Sequence, residues 1–261
     1  MKFTKMQGLG NDYLYIYGEV PKSASELAVK CSDRHFGVGS DGLIYISPSK
    51  AADFKMRIFN ADGSEANMCG NGIRCVGKYV YDKGYTDKTE LTVETLSGIR
   101  TLKLNIIYGK VKTVAVDMGK TTVQDDITLT AADKVFTATP VSVGNPHIVI
   151  FVKGVENFPI EKYGKILEKH PKFPDGVNVE FAEVKDGYIR MRVWERGSGI
   201  TLACGTGACA TVSAAVKKGL VKAGEFTTVK LDGGDLQVKY QNDNVVMTGS
   251  AGFVAEGETY D

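Results

Sequence analysis

The sequence predicts an α+β fold made of one domain used twice. The first observation is a long motif that has a double. Arg57-Ile58-Phe59-Asn60 is followed, twelve residues after its Arg, by Cys69-Gly70-Asn71-Gly72. Arg192-Val193-Trp194-Glu195 is followed at the same distance by Cys204-Gly205-Thr206-Gly207, and the two cysteines lie 135 residues apart. The second observation is that the echo continues outside the motif. Gly10-Asn11 and Gly144-Asn145, 134 apart, each precede an apolar run. Asp41-Gly42 and Asp175-Gly176, again 134 apart, each lead into a strand-like segment. Repetition at so long a period marks a duplicated domain, not a solenoid unit. The third observation is length: 261 residues are enough for two cores.

In chain order, 2–6 and 13–17 alternate like strands and are joined by the turn Gly8-Leu9-Gly10-Asn11-Asp12. The spacing predicts a helix over 25–36, with Ser23 or Ser25 as N-cap and Gly37 as its stop. Gly37-Val38-Gly39-Ser40-Asp41-Gly42 matches the Gly-x-Gly-x-x-Gly pattern. It follows a helix and precedes a strand, the reverse of a dinucleotide site, and is read as a loop. Then come a strand over 52–59, a polar loop and a helix over 73–83 ended near Gly84. Strands over 91–94, 100–107 and 110–118 complete the first half, and 120–126 is the crossover. The second half repeats the order, with strands over 135–143 and 147–152, a helix over 160–169 and strands over 177–184 and 188–195. A helix over 206–218 and strands over 229–231, 236–240 and 245–248 close it. That last helix is poor in bulk (Ala208, Ala210, Ser213, Ala214, Ala215), which suits a place deep inside a sheet. Each half thus carries about seven strands and two helices, over 1–119 and 120–249.

Composition excludes several classes. The formal net charge is +1 with no Lys/Arg block, which argues against a nucleic-acid partner. The start of the chain has no apolar core of signal-peptide length, and no window reaches the length of a membrane helix. The expectation is a cytoplasmic protein with no membrane partner. Five cysteines, an odd count without a secretory leader, speak against a disulfide framework. Their close spacings, Cys-x5-Cys and Cys-x4-Cys, have no nearby His and do not suit zinc, so no metal is expected.

The two Cys-Gly-x-Gly segments point to chemistry. A Cys at a helix start sits where backbone N–H groups have no intrahelical acceptor and where the helix dipole favours a thiolate. The same N–H groups make an anion site. Two such thiols in matched halves, facing one another across one cleft, can take a proton from one face of a carbon and add one to the other. That inverts a stereocentre. Asn60 and Glu195 each stand nine residues before their Cys, Arg196 follows Glu195, Asn11 and Asn145 share the Gly-Asn turn, and Asn178 sits on the strand after Gly176. Such a set suits a ligand with both ammonium and carboxylate groups, with Glu195 on the first and Arg196 on the second. His147, two residues past Asn145, can tune a thiol. Cys31, Cys75 and Cys209 are read as small buried apolar residues.

These motifs, with Phe59-Asn60-Ala61-Asp62-Gly63-Ser64-Glu65, Gly144-Asn145-Pro146-His147 and Trp194-Glu195-Arg196-Gly197, resemble the diaminopimelate epimerases along nearly the whole chain. The resemblance implies two halves that are each a mainly antiparallel β-barrel around a central helix, with 250–261 returning to the first. It implies cofactor-independent conversion of LL-2,6-diaminopimelate to the meso form, for lysine and peptidoglycan synthesis, by a homodimer. It assigns Cys69 and Cys204 as the acid/base pair, assisted by His147 and Glu195. Asn11, Asn60, Asn145, Asn178, Glu195 and Arg196 then bind the substrate's charged ends. Main-chain N–H groups of Gly70-Asn71 and Gly205-Thr206 take the reacting carboxylate. One departure is Gly42, where some members carry Gln. Proline racemases and hydroxyproline epimerases resemble the same two-cysteine plan, but their substrates lack a second amino-carboxylate end. A non-catalytic amino-acid-binding protein is the alternative of a different class.

Overall fold

The computed structural model describes residues 1–260, in two compact units. The first is Met1–Val116 together with the chain from Gly249 onward; the second is Asp117–Thr248. The first unit runs β1 (Lys2–Gly8), β2 (Asn11–Tyr17), α1 (Ala24–Ser32), β3 (Gly42–Pro48), β4 (Phe54–Asn60), β5 (Glu65–Ala66) and α2 (Gly70–Asp82). It continues with β6 (Glu90–Thr95), β7 (Gly98–Ile107) and β8 (Lys110–Lys120). The second runs β9 (Thr122–Val123), β10 (Ile127–Ala131), β11 (Lys134–Ser142), β12 (Pro146–Phe151), a 3-10 turn (Val155–Asn157) and α3 (Ile160–Glu168). After it come β13 (Asn178–Lys185), β14 (Tyr188–Glu195), β15 (Gly199–Ile200), α4 (Gly205–Lys217), β16 (Phe226–Leu231), β17 (Gly234–Gln241) and β18 (Asn244–Ser250). The final strand, β19 (Gly252–Glu258), pairs antiparallel with β1, and Met1 and Thr259 exchange backbone hydrogen bonds.

The pairing order shows the duplication. In the first unit β1–β2 is antiparallel, β2–β3 parallel, β3–β4 antiparallel, β4–β6 parallel, and β6–β7–β8 antiparallel. In the second, β11–β12, β12–β13, β13–β14, β14–β16 and β16–β17–β18 repeat that sequence of directions. Even the two-residue strands match, β5 on β4 and β15 on β14. Each unit is a mainly antiparallel barrel-like sheet around one helix. The first encloses α2, whose Ile73, Val76 and Val80 are fully buried. The second encloses α4, where Ala208, Ala210, Ala214 and Ala215 show no exposure, as the small-residue pattern predicts.

The other helix of each unit lies on the sheet's outer side. Ala24, Ala28 and Cys31 of α1 pack on Leu43, Tyr45 and Phe59. Ile160, Tyr163 and Leu167 of α3 pack with Phe136 and Phe181. Gly164 allows α3 to approach β14 closely, because an added Cβ would lie 2.6 Å from Trp194 Cβ. Gly164→Ala is expected to cost about 1–3 kcal/mol by overpacking, read as a lowered thermal midpoint; an unchanged midpoint would mean that α3 is free to shift.

Several boundaries differ from the sequence expectation, each for a local reason. Helix α1 ends at Ser32, not at 36, because the Asp33 carboxylate accepts the N–H groups of His35 and Phe36 at 2.7 Å each. Ser23 stands at the N-cap but makes no side-chain capping bond. Residues 37–41 are loop, with no strand before them. Helices α2 and α4 start three residues and one residue before the expected points, directly after their cysteines. Strand β10 and the short β5, β9 and β15 were not foreseen; two-residue strands have too few residues to show alternation. No helix among the described residues is long and apolar enough to cross a membrane.

Candidate active site

Both cysteines singled out by the sequence are helix N-caps. Cys69 has φ −134° and ψ 116°, Cys204 φ −115° and ψ 111°, and each sulfur accepts from the N–H three residues on, Gly72 and Gly207, at 3.3 Å. Thiol sulfur here does what a Ser or Asp oxygen does at an ordinary N-cap. The extended cap residue followed by glycine exposes the first-turn N–H groups beside each sulfur.

In the first unit, Cys69 donates to Asn11 Oδ1 at 3.4 Å. Asn11 is held in turn by Asp41, whose Oδ2 accepts from Asn11 Nδ2 at 2.8 Å and from the Asp12 N–H at 3.0 Å. Asn60 accepts from Tyr13 Oη at 3.4 Å and donates to Ser64 at 3.1 Å. The side chain of Asn71 accepts from Arg74 at 3.0 Å. Arg74 is fully buried and also donates to the carbonyls of Gly70 and Ser250, at 3.3 and 3.1 Å, fixing the first turn of α2. At Gly42 the φ is +149° and an added Cβ would lie 2.1 Å from Phe59 O. The departure at position 42 is thus built into the backbone, which here excludes any side chain.

In the second unit three ionisable side chains, His147, Glu180 and Glu195, gather near the capping cysteine. His147, 1% exposed, has Nδ1 2.7 Å from Glu180 Oε1 and Nε2 3.0 Å from Asn145 Oδ1. Asn145 Nδ2 donates to Thr206 Oγ1 at 3.3 Å, and that hydroxyl lies 3.6 Å from Cys204 Sγ. Glu195 accepts from the Thr201 hydroxyl and is within hydrogen-bonding reach of Cys204. Burial pushes the Glu195 carboxyl up, against the Thr201 bond. Burial, then the charges of Glu195 and Glu180, push the Cys204 thiol well above the usual thiol range. Cys75, deep in the first unit, is pushed up to about 11 by burial.

Asn178 and Arg196 sit together. Asn178 Nδ2 donates to Pro146 O at 2.9 Å and its Oδ1 accepts the Arg196 N–H at 3.0 Å, so this side chain braces the main chain on both sides. Arg196 is exposed, with Nη1 donating to Asp175 O at 3.1 Å. The turn that carries Glu195 and Arg196 is held by buried Glu168, which accepts from Trp194 Nε1 at 2.7 Å and from the Gly197 N–H at 2.9 Å. Glu168, Glu180, Arg74 and Asp41 are the residues that sequence reasoning passed over. The available signal was a charged residue inside an otherwise apolar run: Glu180 between Val179 and Phe181, Arg74 between Ile73 and Cys75. Among the described residues, no group of three or more His, Cys, Asp or Glu side chains is placed to hold a metal.

A duplicated barrel with a cysteine capping each central helix defines the class, an isomerase of the epimerase kind. The diaminopimelate epimerase family profile matches residues 3–124 and 139–254, and the chain belongs to that family. It is 51% identical over 276 residues to a diaminopimelate epimerase of Methanococcus maripaludis, covering 99% of each chain. It is 52% identical to the one of Acetivibrio thermocellus, covering 99% of this chain and 98% of that one. Among solved structures, a PhzF-family phenazine biosynthesis protein from Bacillus anthracis shares the fold with TM-score 0.78 at 16% identity, covering 100% of this chain and 98% of the other. A hydroxyproline epimerase from Agrobacterium vitis shares it with TM-score 0.75 at 18% identity, covering 99% and 90%.

Proposed function

We propose that the protein converts LL-2,6-diaminopimelate to meso-diaminopimelate, in lysine and peptidoglycan precursor synthesis, using its own thiols and no cofactor, as a cytoplasmic homodimer. The observation that carries this reading is the pair of cysteine-capped helices in a chain half identical to diaminopimelate epimerases. Inversion at carbon needs a base on one face and an acid on the other, and each unit supplies one thiol. A thiolate takes the α-proton; the opposite thiol delivers its own. Negative charge building on the reacting carboxylate is met by the first-turn N–H groups at Gly70-Asn71 and Gly205-Thr206. Asn11, Asn60, Asn145, Asn178 and Glu195 are polar groups for the substrate's charged ends, Arg196 offers a forked donor for a carboxylate, and Asn178 also braces Arg196. His147 and Glu195 act on Cys204.

A substrate panel with chiral chromatography tests it. LL-diaminopimelate should be inverted, while lysine, which lacks the second carboxylate, and proline should be very poor substrates, because unpaired polar groups penalise a truncated ligand. Arg196→Ala should lower kcat/KM by on the order of 10²-fold or more with an unchanged circular dichroism spectrum. Rapid turnover of lysine or proline would contradict the assignment.

A further inference from the structure

The two half-sites agree in strand pairing and differ in their side chains, most sharply at one fully buried position, where one has an apolar residue and the other a carboxylate. Leu43 pairs with Phe59 and Val179 with Trp194, so Ile44 and Glu180 hold the same register position on equivalent strands. A Cβ added to Gly72 would lie 2.7 Å from Ile44 Cδ1; one added to Gly207 would lie 2.7 Å from Glu180 Oε1. Each side chain thus ends against the first turn of its central helix. The same point on Gly207 is 3.2 Å from Cys204 Sγ, which makes the Glu180 carboxylate and the Cys204 thiol close neighbours. By the same register Tyr13 and Asn60 correspond to His147 and Glu195.

Glu180 is fully buried, and its Oε2 meets no donor among the described residues. Its Oε1 is held by His147 Nδ1. His147 Nε2 lies 3.0 Å from the side-chain oxygen of Asn145. The His147 ring is anchored at both nitrogens, and the carboxylate end of the pair is the end that faces Gly207 and the thiol. The titratable groups turned toward Cys204 come from β12 (His147), β13 (Glu180) and β14 (Glu195). From β11, β16 and β17 the buried side chains are uncharged: Thr139, Val141, Val229, Leu231, Leu236 and Val238.

We propose that Glu180 is the positioning residue that makes the two thiols unequal: its buried carboxylate, fixed by His147, holds the proton on Cys204, so that Cys69 is the first of the two to ionise as the pH rises. This rests on the two-thiol reading above. A two-base inversion works only with one thiol ionised and one not, and two equivalent thiols would share a narrow pH range for that state. An anion beside Cys204 moves its ionisation upward and widens the range. Burial and Glu195 act in the same direction.

The test is the pH dependence of iodoacetamide alkylation at Cys204, followed by peptide mass spectrometry, in the parent protein, Glu180→Gln and Glu180→Ile. The thiolate is the nucleophile, so the alkylation midpoint reports its ionisation. Glu180→Gln keeps the shape, and Glu180→Ile copies the first half. Both should lower the Cys204 midpoint by about one unit or more, which is about tenfold more thiolate at a fixed pH below it, while the Cys69 midpoint in the same digests stays put. Glu180→Gln alone is sufficient if the Ile variant fails to fold. A Cys204 midpoint that is unchanged or higher in Glu180→Gln overturns the proposal. The measurement needs no substrate, so its failure is distinct from failure of the epimerase reading, which the substrate panel detects.

Discussion

Replacing either Cys69 or Cys204 by alanine is expected to abolish epimerisation of LL-diaminopimelate, by on the order of 10³-fold or more. The reason is that a thiol holds one proton. The base keeps the proton it takes, and the product's proton comes from the other sulfur, so neither thiol can substitute for its counterpart. Cys31→Ala, Cys75→Ala and Cys209→Ala should retain activity, since these side chains are buried core. The labelling pattern follows from the same scheme. In heavy water the first product formed from one pure epimer should carry deuterium almost completely, with unreacted substrate nearly unlabelled. Mass spectrometry of early product decides it: substantial retention of the original proton would mean that one base swings between the faces. A Cys69→Ala protein that kept a tenth of the parent rate would sink the scheme outright.

The largest expected effect on stability is at Gly42. An alanine Cβ there would sit 2.1 Å from Phe59 O and 2.9 Å from both Asn60 Cα and Tyr13 Cε1. Backbone cannot move aside as the far end of a side chain can, and β3 and β4 are paired at this point, Gly42 opposite Asn60. Gly42→Ala should therefore cost on the order of 3 kcal/mol or more. That corresponds to a fall of roughly 6 °C or more in the thermal midpoint for a chain of this size. Because Asn60 and Tyr13 are the displaced neighbours, the half-site around Cys69 should lose its geometry as well. A midpoint within about 2 °C of the parent would show that this strand pair yields more easily than its packing implies.

The duplication and the two cysteine caps were legible in the sequence because they are local: glycine follows each cap, and the motif recurs in one register. The boundaries of α2 and α4 were set late by the sequence reading because Gly-x-Gly looks like loop until the cap bond is known. The contacts of Glu180 and Glu168 were illegible for a different reason. Their partners, His147 and Trp194, lie 33 and 26 residues away, and only the pairing of β12 with β13 and the packing of α3 on β14 brings them into contact. Asn178 illustrates the converse. Its residue type and place suggest a ligand contact, and in addition its amide braces Pro146 and Arg196, a use that no sequence pattern distinguishes from binding.

The pairing of β1 with β19 also sets an order of assembly. Lys2–Gln7 precedes the rest of both units in the chain, but its partner on one side, Gly252–Glu258, is made after every residue of the second unit. For the whole of that interval β1 has only β2 beside it and presents an unpaired strand edge. The second unit is continuous in sequence and needs no later segment to complete its ladders, so it can close while the chain is still growing. The half that is translated first is therefore the half that is finished last, and its open edge is the point at which a nascent chain is exposed to mispairing.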